Sequence, residues 1–494
     1  MTGKAAVARI NIMLVFLFSL ACIFYLGHHF LQVNLVPDGD FAADMLLAQR
    51  IETGGLLLTG HYSRYEFNHP GPFFFYALHL GSVGATLLGL SKAAGAYLAT
   101  FFLNACFVTL CSVMVVRLFS PVVRLIPTLS AVLVIISLSA THLVDVWMPH
   151  KLVLPYLAFL LSLVFILRRA LQYFPLACLL AAILVHGYIS MIAMALPLLF
   201  LACVTGLRNP VFKLTRAEKH WFLIGGAIGC AFLLPVIADS IFNTPSNLHK
   251  ILFQSMNAHF KHTRFQELID LFSAVVFAQF SIFHFLLLLG GSYVMVSHSA
   301  TRKMWGEILF GVLLLVLLFL AYHKTVPAPV LDFTVFYFQA VPTLLVTIST
   351  VALLMCSESL GISRLGEYAL KAGVVVAILV GVMYLKPTKT NSEQNRAITM
   401  MASAIEQRLP DVNLIKIDYT QHMQWPFIAG VLYEFARNNV SACTTWQHMR
   451  FLYTSEFVCD ASQKADVIIK NEAECDAACF FKADGIGAAL NHSD

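Results

Sequence analysis

Charged residues are scarce in this chain. Asp, Glu, Lys and Arg make up only 12% of the 494 residues, whereas 59% are hydrophobic. Soluble domains carry about 25% charged residues, so this scarcity excludes an ordinary soluble domain. Many apolar runs are long enough to cross a bilayer, which predicts a polytopic helical membrane protein. The sequence also lacks an internal repeat and a low-complexity tract.

The first apolar segment is too long to be a cleaved signal peptide. Lys4 and Arg9 lead into about 22 apolar residues, and no clear small-residue cleavage site follows them. We therefore interpret the segment as the first membrane span, with its N-terminus in the cytoplasm.

The distribution of basic residues predicts the topology. Eleven segments qualify as candidate spans: 9–31, 95–117, 123–141, 152–167, 173–186, 188–206, 220–238, 273–297, 305–322, 334–355 and 369–386. Cytoplasmic loops collect Lys and Arg. The residues that fit this role are Arg117, Arg124, Arg168, Arg169, Arg208, Lys213, Arg216, Lys219, Arg302, Lys303, Arg364 and Lys371. Eleven crossings would place the C-terminal tail on the outer face of a bacterial inner membrane.

One further segment, 71–90, is apolar enough to span the membrane. A crossing there would turn several of these basic residues outward, unless 173–207 were counted as a single crossing. Pro70 and Pro72 begin the segment, and three glycines weaken it as a span. We interpret it as a juxtamembrane helix in the outer leaflet, so that 32–92 form one large first outer loop.

The tail, 388–494, has ordinary polarity and predicts a small α/β domain beside the membrane domain, 1–387. "VNLIKIDY" and "ADVIIK" are typical of strands, and "WPFIAGVLYEFARNN" is typical of a helix. No Gly-rich phosphate loop occurs, so we expect neither nucleotide nor nucleic-acid binding. The tail contains four of the 11 cysteines: Cys443, Cys459, Cys475 and Cys479. On an oxidising face they predict two disulfides, in one of three pairings, with a zinc site as the alternative.

Two carboxylates follow the first span. Asp40 and Asp44 are four residues apart, so on a helix they share one face. Such a pair can abstract a proton or hold a divalent cation such as Mg or Mn. The alternative is helix capping, in which Asp38 or Asp40 caps the N-terminus and its charge suits the helix dipole.

Basic groups follow on the same loop. Arg50, Arg64 and His69 are candidate phosphate ligands, because the guanidinium fork forms bidentate hydrogen bonds. The alternative is that the arginines pair with Glu52 and Glu66 on a solvated surface.

Two later outer loops add candidate substrate ligands. "HLVDVWMPHK" carries Asp145 and His150 beside Trp147, although a tryptophan here is often only an interfacial anchor. The stretch 240–266 contains no acid, and its basic residues are His249, Lys250, His259, Lys261, His262 and Arg264. Positive charge on the outer face runs against the usual bias, so an anionic ligand such as a lipid-linked phosphate is expected. The alternative is attraction to anionic headgroups of membrane lipids.

The chain resembles the GT-C-type glycosyltransferases, which are polytopic enzymes that use polyprenyl-phosphate-linked sugars on the outer face. The motifs "GDFAAD", "YSRYEFNHPGP", "VWMPHKLVLPY", "HGY" and "LLPVIADSIFNTPSNL" resemble an "HPGP" branch of bacterial membrane proteins of this architecture. The resemblance covers about residues 10–255. It implies that Asp40 is the catalytic base and that Asp145 is a second acidic residue. The chain departs from the family pattern in lacking an adjacent pair of acids and an Arg-Thr-Asp context, which leaves the use of a metal open.

The sequence therefore predicts a membrane glycosyltransferase, either a hexosyl- or a pentosyltransferase and of the inverting type. It would move a sugar from a polyprenyl-phosphate carrier to a glycan or lipid acceptor. The alternative is a transporter or flippase for a lipid-linked saccharide. A transporter should carry charges at mid-membrane depth, whereas these spans are nearly free of them. A non-catalytic scaffold would leave the paired aspartates and the cationic loop unexplained.

Overall fold

The computed structural model describes residues 2–31, 35–63, 65–119, 126–207, 214–257, 264–276, 280–325, 331–356, 363–383, 385–388, 392–460, 462–475 and 479–491. The chain divides into two compact units. The membrane unit comprises Met1–His28, His69–Gly71 and Thr100–Thr388. The second unit, here called the loop–tail unit, comprises His29–Asn68, Pro72–Ala99 and Lys389–Asp494.

Helices make up the membrane unit. They are α1 (Thr2–Gly27), most of α4 (Lys92–Leu118), α5 (Ile126–Ile136), α6 (Ala140–Val144), α7 (Met148–Lys151), α8 (Val153–Leu167), α9 (Phe174–Gly187), α10 (Met191–Gly206), α11 (Arg216–Phe242), α12 (Asn247–Asn257), α13 (Phe265–Val276), α14 (Ile282–Ser297), α15 (Ser299–Thr325), α16 (Ala340–Cys356) and α17 (Arg364–Met383). Helix α8 is buried along nearly its whole length, so it forms the centre of this unit.

Seven helical segments of the described residues are long and apolar enough to cross a membrane: Ile12–Phe30, Lys92–Leu118, Met148–Leu167, Arg216–Phe242, Thr301–Lys324, Phe336–Cys356 and Arg364–Met383. Five shorter apolar helices accompany them: Phe73–Leu87, Pro127–Ile136, Leu171–Gly187, Met191–Gly206 and Ile282–Ser297. The mostly helical, multi-span class expected from the composition is confirmed. Seven of the described helical segments are long enough to span a membrane, whereas the sequence suggested eleven spans.

Two expected spans differ from the helices observed. Instead of one helix over 123–141, the described residues form the 11-residue α5 and then α6, because Ser139 caps α6 by accepting a hydrogen bond from the His142 amide. Instead of one helix over 273–297, α13 ends at Val276 and α14 begins after Ser281 in the N-cap position. Cap residues at these positions favour helix starts over helix continuation.

The loop–tail unit combines two helices of the segment that follows α1 with the C-terminal tail. Its helices, besides the first turns of α4, are α2 (Gly39–Glu52), α3 (Phe73–Leu87), α18 (Ser392–Arg408), α19 (Trp425–Arg437) and α20 (Arg450–Tyr453). Helix α2 packs against α19, and a Cβ on Gly430 would lie 2.9 Å from the Pro37 carbonyl oxygen. This close approach requires glycine. Helix α3 has 15 residues, or about 22 Å at 1.5 Å per residue, which is shorter than a bilayer core.

A five-stranded sheet forms the core of the tail. Its strands are β1 (Ile415–Tyr419), β2 (Ala442–Thr444), β3 (Val467–Asn471), β4 (Cys479–Ala483) and β5 (Ile486–Leu490), in the order β2-β1-β3-β5-β4. Strands β2, β1 and β3 are parallel, and β5 is antiparallel to β3 and β4. The predicted strands and helix around β1, β3 and α19 are confirmed. Strands β2, β4 and β5 were not predicted, because β2 has only three residues and β5 is built mainly of small ones.

Both predicted disulfides are present. Cys443 bonds to Cys459 across 16 residues, and Cys475 bonds to Cys479 across four. The pairing is thus sequential, which the sequence left open.

We expect the longer bridge to stabilise the tail more. In the chain-entropy treatment, closing a 16-residue loop contributes about 3 kcal/mol to the free energy of unfolding, and a four-residue loop about 2 kcal/mol. Replacing Cys443 and Cys459 by serine should therefore lower the Tm of the full chain more than the same change at Cys475 and Cys479. Thermal unfolding in detergent would measure this. Four alkylatable tail thiols in the untreated native protein would contradict both bridges.

Candidate active site

The segment that follows α1 places its carboxylates on a helix that starts at a glycine. Gly39 has φ +49°, a left-handed conformation that favours glycine, and Asp38 takes the N-cap position without a side-chain capping bond. Asp40 therefore lies in the first turn of α2, where the helix dipole stabilises a negative charge. The N-cap residue is thus Asp38, one of the two residues that the capping interpretation offered, and Asp40 lies inside the helix.

A turn in the same loop brings two side chains to α2. Tyr62 and Asn68 form an isolated antiparallel bridge, and the Ser63 amide donates to the Phe67 carbonyl at 2.7 Å. Glu66 adopts a positive φ of 62° within this turn. These bonds join residues 62 and 63 to residues 67 and 68, which fixes the backbone that carries Tyr62.

Each aspartate has its own partner from this turn. His61 Nδ1 lies 2.5 Å from Asp44 Oδ1, and both side chains are buried. The Tyr62 hydroxyl donates to Asp40 Oδ1. Asp40 itself is only half-buried. A buried carboxylate–imidazole pair thus lies one helical turn behind a more accessible carboxylate whose orientation is set by a tyrosine.

Sequence reasoning identified the two aspartates but missed His61 and Tyr62. Their adjacency in "GHYSRY" is the signal that could have found them, since neighbouring residues of a turn can contact carboxylates one helical turn apart.

The tail contributes to the surroundings of this pair. The ring of Phe451 lies 5.8 Å from that of Tyr62, centroid to centroid. Arg50, for which the sequence offered Glu52 as an alternative partner, contacts Glu456 Oε1 through Nε at 3.1 Å, and its expected role in phosphate binding stays a prediction. Glu52 pairs with Lys92. Arg50 therefore holds the end of α2 against the tail, in an exposed pair of small energetic value.

A second polar cluster lies in the membrane unit. His150 Nδ1 is 2.7 Å from Asp145 Oδ2, so the two residues expected in this loop do meet. His142 packs against the His150 ring at 4.5 Å and bonds through Nδ1 to the Ser139 hydroxyl. Trp147 lies 5.1 Å from the His150 ring, which makes it part of the cluster rather than only an anchor.

His142 is a neutral imidazole in this cluster. Burial, reinforced by the neighbouring His150, lowers the pKa of His142 to about 3, against the opposing effect of Asp145. Its Nε2 is buried, and within the described part of the chain no group hydrogen-bonds to it. Buried polar atoms are normally paired, so this nitrogen is available to a ligand.

The remaining expected ligands are more scattered. His69, also in the membrane unit, is buried beside Tyr188 at 4.6 Å between centroids, and its Nδ1 accepts from the Ile189 amide at 3.4 Å. Lys250 and Arg264 are exposed, at α12 and at the start of α13. The expected residues that lie outside the described residues are Arg64, His259, Lys261 and His262.

Two acids border the cationic stretch 240–266. Buried Asp239 accepts from the Asn247 amide at 2.6 Å, which anchors the start of α12 and thereby positions Lys250. The carboxylate of Glu267 accepts from the Arg264 amide at 2.8 Å. The surface near α13 therefore carries negative as well as positive charge, although residues 240–266 contain no acid.

A divalent cation would find few protein ligands at the aspartates. Among the described residues, no group of three or more His, Cys, Asp or Glu side chains is placed to hold a metal. Asp40 and Asp44 also engage different partners. Because Mg²⁺ binds through one or two carboxylates plus water and phosphate, the use of a divalent cation at Asp40 and Asp44 stays a prediction.

The fold of this chain is similar to that of a solved structure. No protein-family model and no curated protein matches the sequence. Among solved structures, the chain is similar to ArnT from Cupriavidus metallidurans bound to undecaprenyl phosphate, with 13% identity, a TM-score of 0.60, and coverage of 97% of this chain and 98% of that one. It is also similar to the Archaeoglobus fulgidus oligosaccharyltransferase, with 10% identity and a TM-score of 0.47 over 93% of this chain and 68% of that one. The GT-C-type fold expected from the motifs is confirmed.

Proposed function

We propose that this protein is a glycosyltransferase that moves a sugar from a polyprenyl-phosphate carrier to a glycan or lipid acceptor. The observation that carries the proposal is the half-buried Asp40, held by Tyr62 just after the first span of a GT-C-type fold. The structure of ArnT, whose fold this chain shares, is bound to undecaprenyl phosphate, which supports a carrier lipid of that kind.

In the proposed reaction, Asp40 acts as general base. The acceptor hydroxyl attacks the anomeric carbon while its proton passes to the Asp40 carboxylate, and the bond from that carbon to the phosphate oxygen breaks. Polyprenyl phosphate leaves, and because a single displacement inverts the anomeric configuration, the protein would be an inverting hexosyl- or pentosyltransferase. Asp44 lies one helical turn from Asp40 and bonds to buried His61, and this bond fixes the orientation of α2 relative to the turn that carries Tyr62.

On the donor side, we assign phosphate and sugar binding to the basic and imidazole groups of the membrane unit. One candidate donor site is the polar cluster of His142 Nε2, His150 and Asp145. A second candidate is the single side chain of His69. Lys250 and Arg264 are exposed cations that can stabilise a departing phosphate electrostatically.

The cations offer a direct test. Replacing Lys250, Lys261 and Arg264 by glutamine should weaken donor binding, by roughly 1–3 kcal/mol for each charge-assisted hydrogen bond removed. Titration of the purified protein with a polyprenyl-phosphate sugar would measure the change. Lys303→Gln, on an exposed cytoplasmic-side lysine, is the matched control. Unchanged donor affinity in the triple variant would return these cations to interaction with lipid headgroups.

The proposed orientation follows the basic residues. Eleven crossings, the number that the sequence suggests, would put the two chain ends on opposite faces. The basic residues would then place the N-terminus in the cytoplasm of a bacterial cell and the tail outside. Mass spectrometry of glycans and lipids from a deletion strain would identify the substrate. We expect one sugar to be lost from a glycan or lipid and the carrier-linked form of that sugar to accumulate. A carrier-linked saccharide retained on the cytoplasmic side would instead favour a flippase.

A further inference from the structure

The tail has an open mixed sheet, and the strand order reverses within its parallel part, β2-β1-β3. The chain passes from β1 through α19 to β2 on one side, and later returns to β3 on the other side of β1. In sheets of this kind, ligands bind beyond the carboxyl ends of the strands, where the order reverses. A second ligand site would therefore be formed by the side chains that follow β1, β2 and β3.

A tryptophan is held rigidly at this edge. The Trp446 ring stacks on Tyr419 with centroids 3.9 Å apart and an angle of 14° between the planes. Its Nε1–H donates to Asp418 Oδ1 at 2.6 Å. One face and the N–H are thus occupied within the domain, yet the residue stays partly exposed. A rigid aromatic ring gives contact area to a ligand at a low cost in entropy.

Hydrogen-bond donors and hydrogen-bond acceptors surround this ring. His448 lies 4.8 Å from Trp446 and His422 lies 6.1 Å from it, centroid to centroid, and both imidazoles are exposed. Next to them, Gln421 Nε2 donates to the exposed Glu474 carboxylate at 2.8 Å. Imidazole, amide and carboxylate groups can together donate to and accept from the same ligand.

This composition favours a saccharide over the alternatives. Sugar hydroxyls both donate and accept, and the C–H face of the ring packs on an aromatic side chain. A phosphate would meet repulsion from the carboxylates of Asp418 and Glu474. A metal would need a third ligand, and the described residues offer no such group.

The same segment reaches the candidate base. Three residues after His448, the Phe451 ring contacts Tyr62, whose hydroxyl bonds to Asp40. We propose that Trp446, His448 and His422 form a binding subsite for an uncharged saccharide unit of the acceptor. The subsite rests on the proposed function and narrows it, because the acceptor is then a glycan rather than a simple lipid.

Binding can be measured separately from transfer. The purified full chain in nanodiscs would be applied to a printed array of uncharged hexose and N-acetylhexosamine oligosaccharides. We expect selective retention on a subset of them. His422→Ala/His448→Ala should weaken that retention at least tenfold with an unchanged Tm, because both imidazoles are exposed. Trp446→Phe, which keeps an aromatic ring on Tyr419 but has no indole N–H, should weaken it by a smaller factor.

Two controls make the outcome specific. Trp221→Ala removes a half-buried tryptophan of α11 and should leave retention unchanged. Asp40→Asn should lose transfer but keep retention, so failure of the catalytic proposal is distinguishable from failure of this one. Wild-type retention by both the double-histidine and the Trp446→Phe variants would overturn the subsite. So would retention of phosphorylated saccharides only, or of none.

Discussion

Asp40→Asn should abolish sugar transfer while the protein still folds, inserts and binds its donor. A positioned general base typically contributes 10²–10⁴-fold, so we expect a loss of that order in the turnover rate. The amide keeps the size of the side chain and an oxygen that can accept from the Tyr62 hydroxyl, so the geometry around α2 should persist. Release of polyprenyl phosphate from a radiolabelled donor would measure the rate.

The matched control is Asp38→Asn, two residues earlier. Asn caps a helix about as well as Asp, so a change at the N-cap position should leave the rate within a few-fold of the wild type. Asp44→Asn should lose less than Asp40→Asn, because Asp44 is buried behind the accessible carboxylate. Near-wild-type transfer by a well-expressed Asp40→Asn protein would end the assignment of Asp40 as base.

His61→Ala should have the largest effect on stability. Asp44 is 1% exposed, and His61 is its partner at 2.5 Å. Removing His61 leaves the buried Asp44 carboxylate without this hydrogen-bond partner, which costs about 1–3 kcal/mol, and more where the group is charged. We therefore expect a markedly lower Tm of the full chain in detergent. Transfer should also fall, because the turn that carries Tyr62 is then no longer held against α2 by its neighbouring residue.

A double-mutant cycle distinguishes the direct interaction of His61 with Asp44 from a general loss of packing. In an Asp44→Asn background the buried group is already neutral, so His61→Ala should cost less than it does in the wild type. The difference between the two costs should exceed about 1 kcal/mol for residues that touch directly. Equal Tm shifts in both backgrounds would mean that the pair carries no coupling and that His61 acts only through its volume.

The class of fold follows from the sequence without any coordinates. Scarce charge and long apolar runs require helices that satisfy their own backbone hydrogen bonds in the bilayer. The alternation in "IKIDY" and "VIIKN" predicts β1 and β3, because alternate side chains point to opposite faces of a strand. An even number of cysteines in a polar tail predicts the two disulfides.

Which side chains meet is decided by packing in three dimensions. The spacing of Asp40 and Asp44 put them on one helix face, but only the turn after α2 shows that His61 and Tyr62 bind them. Likewise, the partner of Arg50 is Glu456 in the distant tail, where local sequence offered Glu52. Side chains far apart in the chain come together through packing of whole elements, and hydrophobic periodicity records which face of a helix is buried but not what covers it.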